Sequence, residues 1–142
     1  RSEDGSLVLV FPMGDVPLSG IAAEDIGKVA HGIFAAGEAY IGETVSIAGG
    51  HLTGDEVAAQ LSDALGQRVT CVAVEPDVYR GFGFPGAEDL GNMVQFYRDV
   101  NDYFVGERDL DLVRRLNPEL MSFRDWLAVH KDEIPIPAPG EE

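Results

Sequence analysis

The chain has 142 residues, 45% of them hydrophobic, and a net charge of −15 from 10 basic and 25 acidic side chains. That length predicts one domain burying about 70% of its unfolded surface, and the composition is globular rather than disordered. The charge excludes the basic stripe that phosphate contacts need, so neither nucleic acid nor an anionic membrane is an expected partner. No apolar run approaches the ~18 residues of a membrane helix. The opening residues, RSEDG, followed by the short run Leu7–Phe11, do not make a signal peptide. The chain does not begin with Met, which predicts a processed or excised piece. Its single cysteine, Cys71, excludes an internal disulfide and fits a reducing compartment, so the expected location is cytoplasmic, and nuclear as well in a eukaryote.

Leu7–Phe11 and Val16–Ile21 are short strand candidates around the turn Met13-Gly14-Asp15, and Pro12 and Pro17 confine them to edges or strand ends. Glu24–Ala35 reads as a helix with Ile26, Val29, Ala30, Ile33 and Phe34 on its apolar face. Glu24 and Asp25 sit in its first turn, where the helix dipole favours acidic groups. Gly27 and Gly32 inside it cost about 1 kcal/mol each against Ala, which predicts close packing. Thr44–Ala48 alternates and is β-branched, as a strand should be, and Gly49-Gly50 break it. Thr53 with Glu56 forms a capping box, Val57, Leu61, Ala64 and Leu65 share a helical face, and Gly66 suits a left-handed cap. Val69–Val74 is an apolar strand. Strand, helix and strand make a βαβ-like unit that belongs to a larger covered sheet, and no such sheet is evident in the rest of the chain.

After Val74 the pattern turns helical. Pro76–Arg80 is one turn, Gly81–Gly86 a glycine- and aromatic-rich loop, and Ala87–Phe104 the longest helix, with Leu90, Met93, Val94, Tyr97, Asn101 and Phe104 on one side. Asp109–Leu116 is a shorter helix. Ser122 caps the last one, with Asp125 in the box position, Met121 stapled to Trp126, and Phe123, Trp126, Leu127 and His130 inward. The tail IPIPAPGEE is proline-rich. The expected domains are therefore an α/β portion over 1–75, a helical cleft-forming portion over 76–134, and a tail over 135–142.

The chemistry is sparse. Gly81–Gly86 matches GxGxxG, but PDVYR separates it from the preceding strand and Pro85 lacks a backbone donor, so it does not read as a phosphate loop. Tyr79, Phe82 and Phe84 are candidates to line a cleft. The lysines Lys28 and Lys131 have no tyrosine four residues before them, so the short-chain dehydrogenase dyad is absent. His31, His51 and His130 lack metal-like spacing. His51, in a glycine-flanked loop before a helix, is the best candidate for a ligand-facing histidine. No catalytic, cofactor-binding or metal-binding residue is nominated: Cys71 reads as a core side chain, no serine has an evident base, and Asp55, Glu56, Glu88 and Asp89 read as helix-start charges.

One further pattern is distinctive. Val16-Pro17-Leu18-Ser19-Gly20, then Gly83-Phe84-Pro85-Gly86-Ala87 with Asp89-Leu90, Asn92-Met93 and Phe96-Tyr97, then Arg115-Leu116-Asn117-Pro118, Trp126-Leu127 and His130-Lys131, resemble the C-terminal half of NmrA-like proteins. The resemblance runs from about Gly5 to Ile134 and is closest to the NmrA-like family domain-containing group. The helix faces, Glu107–Asp111 and the tail depart from it. The resemblance implies an α/β fold: the C-terminal part of a Rossmann-type NAD(P)-binding fold, few strands plus helices, with a mainly helical smaller domain. It implies NADP(H) in the longer protein, bound mostly by an N-terminal Rossmann half whose motifs have no counterpart here. It implies a redox sensor or regulator rather than an enzyme, with a regulated protein partner or a second copy as further partners. The alternatives are the substrate-choosing half of an isoflavone-reductase-like reductase, and a stand-alone interaction module.

Overall fold

The computed structural model describes residues 1–2 and 4–136, so most of the proline-rich tail lies outside it. Among the described residues four strands form: β1 (Leu7–Phe11), β2 (Leu18–Gly20), β3 (Gly50–Leu52) and β4 (Val69–Ala73). The helices are α1 (Ala23–Ala35), α2 (Gly54–Leu65), α3 (Pro76–Arg80), α4 (Ala87–Asp99), α5 (Asn101–Gly106), α6 (Leu110–Leu116) and α7 (Phe123–His130), with short 3₁₀ turns after α1 and α7.

The strands make two ladders. β1 pairs parallel with β4, Leu7 opposite Val69 through Phe11 opposite Ala73. β2 pairs antiparallel with β3, Leu18 opposite Leu52 and Ser19 opposite His51. The crossover unit is thus β1 to β4, with α2 between them in the chain and packed on one face of the pair. Leu7, Leu9, Val69 and Cys71 point to one face and meet Ala58, Leu61 and Leu65 of α2. The other face carries Val8, Val10 and Val72, all exposed. Parallel ladders are normally covered on both faces, so this one is half-covered.

Two boundaries differ from the sequence pattern. Thr44–Ala48, expected as a strand, joins no ladder among the described residues; the strand comes later, at Gly50–Leu52, and begins on one of the glycines expected to end it. Alternation describes these residues well, but a strand exists only where a neighbour pairs with it. The expected helix Ala87–Phe104 is two, α4 and α5, divided at Val100 (φ −117°, ψ 29°). The buried Asn101 draws the chain aside there: its amide donates to the carbonyls of Pro17 (2.9 Å) and Tyr97 (3.1 Å). The buried stripe of α4 is Ala87, Gly91 and Val94, packed on α3, while Leu90 and Met93 are exposed.

Elsewhere the local chemistry explains the elements. Thr53 Oγ1 accepts from the Glu56 amide, and the Glu56 carboxylate accepts from the Thr53 amide (2.8 Å), so two free donors of α2 are satisfied. Gly66 ends α2 at φ 65°, a left-handed conformation that favours glycine. α1 packs on α6 through Gly32: a Cβ there would lie 2.1 Å from the Leu116 carbonyl oxygen. Val29 and Val113 are almost fully buried in the same region, and burying a valine contributes about 1.5–3 kcal/mol. Ile26 and Phe34, expected on the inner face of α1, are exposed instead, Phe34 at 82%.

Candidate functional site

The β2–β3 ladder has two faces, and period-two alternation sends different residues to each. Leu18, Gly20, Gly50 and Leu52 face a cavity of about 410 Å³. Phe11 of β1, Val57 of α2, Ile21 before α1, and Met121, Phe123 and Trp126 around α7 complete its wall. The lining is nearly all apolar, and the volume falls in the range of small-molecule sites. Ser122, its one hydroxyl, is committed elsewhere: its oxygen accepts from the Asp125 amide and donates to the Asp125 carboxylate (2.6 Å). Those bonds also hold the Asp125 carboxyl below its ordinary pKa.

Asp25 positions the Met121 side of this wall. The sequence pattern treats it as one of two first-turn charges on α1, but Asp25 is fully buried whereas Glu24 is exposed. Its Oδ1 accepts from Asn117 Nδ2 (3.0 Å) and its Oδ2 from the Met121 amide (2.8 Å). Lys28 Nζ stands 3.7 Å from Oδ1. One carboxylate therefore ties the start of α1 to the α6–α7 connection. At the far end of α7, His130 stacks on Trp126 (4.9 Å between centroids), and its ring nitrogens pair with Glu24 (3.5 Å) and Glu133 (3.2 Å).

His51 and Ser19 occupy the opposite face of the ladder, away from the cavity. Ser19 Oγ lies 2.8 Å from His51 Nδ1, and His51 Nε2 lies 3.1 Å from the Arg108 carbonyl. A carbonyl only accepts, so Nε2 carries the proton and Nδ1 accepts from the serine hydroxyl. Both ring nitrogens are thereby occupied, and His51 bridges β3 to the end of α5. The Arg108 guanidinium lies over the Phe104 ring at 3.5 Å and donates to the Phe104 carbonyl. The sequence offers Ser19 no evident base. The antiparallel register supplies one, and only strand pairing across 32 residues could have revealed it.

Tyr79, Phe82 and Phe84 do come together. Tyr79 meets both phenylalanines edge-to-face, with centroids at 5.5 and 5.6 Å, and the two phenylalanine rings remain partly exposed. Like His51, none of the three lines the 410 Å³ cavity. His31 is exposed on α1. Cys71 lies beneath α2, where a Cβ on Gly54 would come within 2.5 Å of its sulfur. Burial pushes its thiol pKa up and Asp55 adds to the rise, so it is a poor thiolate nucleophile.

The Gly81–Gly86 loop does not fit a dinucleotide phosphate. Gly81–Gly86 follows helix α3 rather than a strand. The Gly81 amide is spent on the α3 carbonyls and the Ala87 amide on Phe84 O. Glu88 and Asp89 then place two negative charges in the first turn of α4, against any phosphate.

Residues 1–127 match the model of the NmrA-like family. The chain belongs to the NmrA-like family. The rat NmrA-like family domain-containing protein 1 is 33% identical over 95 residues, covering 62% of this chain and 57% of that protein. Among solved structures, NmrA, a negative transcriptional regulator in complex with NAD, superposes with a TM-score of 0.71 at 22% identity, over 93% of this chain and 45% of its own. The Citrobacter sp. triphenylmethane reductase complexed with NADP(H) gives 0.66 at 18%, over 89% and 44%. These likenesses give the fold: α/β, with Rossmann-like NAD(P)-binding neighbours. This NmrA-like chain spans a little over half the length of its curated relative and less than half that of the solved proteins. No helix among the described residues is long and apolar enough to cross a membrane.

Proposed function

We propose that this chain is the C-terminal portion of an NmrA-like regulator that senses NAD(P)(H) through a preceding Rossmann half and carries out no chemistry itself. The observation behind this reading is a division of parts. The fold follows nucleotide-binding relatives over nearly its whole length, yet the Gly81–Gly86 loop that matches GxGxxG is unsuited to phosphate and its lysines lack the Tyr-x-x-x-Lys spacing. In this reading the cofactor loop lies in the other half, and NADP(H) is the expected nucleotide because the resemblance points to it. A regulated protein, or a second copy, is the partner that reads the nucleotide state. The test is an NADPH titration of the longer gene product. Saturable binding without turnover supports a sensor; no binding defeats it and favours a stand-alone interaction module.

A specific feature favours a second reading, a reductase. The cavity beside Trp126, Phe123 and Phe11 has the size and apolar character to take a polycyclic aromatic substrate. The Citrobacter neighbour is a triphenylmethane reductase. Incubating the longer protein with NADPH and a triphenylmethane dye separates the two: decolorisation with matching NADPH loss supports the reductase, and no change supports the sensor.

A further inference from the structure

Nucleotide sensing leaves Ser19 and His51 without a task, yet their geometry is that of an activated hydroxyl. Strand pairing sets the two residues directly opposite each other, so the ladder backbone fixes their spacing. The Ser19 hydroxyl donates to His51 Nδ1 across 2.8 Å. The Arg108 carbonyl, 3.1 Å from Nε2, holds the proton on that nitrogen and leaves the Nδ1 lone pair aimed at the hydroxyl. A nucleophile, a base within hydrogen-bond reach and a third group that orients the base are the recurring parts of an activated serine. The Ser19 hydroxyl makes this one hydrogen bond among the described residues, so its oxygen keeps its lone pairs for attack. Other serines are committed differently. Ser62 Oγ is held among Ala58 O, Val69 O and the Val69 amide, and Ser122 Oγ between the amide and the carboxylate of Asp125. Ser19 and His51 are both half-buried, which leaves an approach from solvent.

We propose that Ser19 is an acylation site, its hydroxyl activated by His51 to take an acyl group from an activated donor, a thioester or an ester with a good leaving group. Oγ attacks the acyl carbonyl carbon while its proton passes to Nδ1. The imidazolium then carries a proton on each nitrogen, and the Arg108 carbonyl accepts from Nε2 throughout. As the tetrahedral intermediate collapses, the bond from the acyl carbon to the leaving sulfur or oxygen breaks, and Nδ1 returns its proton to that leaving group. The products are an O-acyl serine and a free thiol or alcohol, with nothing oxidised or reduced. The chain is the acceptor of the group in this step, which goes beyond the sensor reading and needs no nucleotide. The ester has no hydroxyl proton, so the imidazole loses one of the two bonds that hold it between β2 and the end of α5.

Acetylation of the longer protein by p-nitrophenyl acetate tests this, read by intact mass and by fragmentation of the modified peptide. An acetyl group on Ser19 is expected, appearing about 100-fold or more faster than on any other serine of the same sample, which is the lower end of what a positioned base supplies. Ser19→Ala should abolish that label, and His51→Gln should slow it by about 100-fold. No label on Ser19, label there no faster than on other serines, or a Ser19 rate unmoved in a folded His51→Gln variant overturns the proposal and leaves the pair as a bond that ties the ladder together. Should that variant fail to fold, the selectivity of the wild type still decides. NADPH binding is read separately on unlabelled protein. A labelled Ser19 without nucleotide binding defeats the sensor and leaves the acylation site standing, and nucleotide binding without the label does the reverse.

Discussion

Asp25→Ala is the most informative single substitution, because sequence and structure assign that carboxylate different work. A first-turn charge is worth about 0.3–1 kcal/mol through the helix dipole. A buried carboxylate accepting two hydrogen bonds is worth more. Removing it strands the Asn117 amide at 4% exposure and leaves the Met121 N–H without its acceptor. Each buried donor left alone costs about 1–3 kcal/mol, for a total near 4 kcal/mol. Lys28 is half-exposed and adds little. With an m-value of about 2 kcal/mol/M, the urea midpoint should fall by about 2 M. Trp126, the only tryptophan, reports through its fluorescence because it sits on the wall that Asp25 helps anchor. Asp55→Ala is the control: an exposed first-turn acid on α2, expected to shift the midpoint by under 0.5 M at the same m-value. Equal shifts in the two variants would refute the argument.

Three further outcomes follow from the packing and the caps. Gly27→Ala should stabilise by about 0.5–1 kcal/mol, since a Cβ there meets nothing and gains helix propensity; Gly32→Ala should destabilise, because its Cβ would strike the Leu116 carbonyl, and thermal melts of the pair should move in opposite directions. Gly50→Leu places a side chain into the cavity at a position where a Cβ has open space, so it should weaken binding of an apolar fluorescent probe severalfold without lowering the melting temperature; unchanged binding would move the probe site elsewhere. The Ser122 bonds hold the folded Asp125 pKa below its unfolded value of about 3.9, so their stabilisation is fully present above that value and is lost as pH falls through the folded pKa. The urea midpoints of wild type and Asp125→Asn should therefore differ at pH 6 and converge on acidification; a gap constant down to pH 3 would contradict the cap.

The helices were largely legible because their signals are local. The capping boxes at Thr53 and Ser122, the Gly66 terminus and the Pro76 turn all stand where short-range rules place them. Long-range facts were not legible. Nothing near Asp25 distinguishes it from Glu24; the difference is Asn117 and Met121, more than ninety residues away. Nothing near His51 announces Ser19, since the register of two three-residue strands decides that contact. The cavity was equally hidden, because its wall gathers β1, β2, β3, α2 and α7, which meet only in three dimensions.

Three disagreements between pattern and fold share one character. Ile26 and Phe34 belong to an apolar helix face and stand exposed; Thr44–Ala48 has strand composition and joins no ladder among the described residues; Val69–Val74 reads as a buried strand and presents Val72 to solvent. In these three cases the residues prescribe more burial or pairing than this chain provides; at Asp25, read as a first-turn charge, and at Gly50, read as a strand breaker, they prescribe less. Yet no buried side-chain nitrogen or oxygen among the described residues lacks a hydrogen-bond partner. The bare apolar faces of α1 and of the β1–β4 ladder thus carry side chains whose buried polar neighbours are fully satisfied, which makes them surface available to a partner rather than defects of packing.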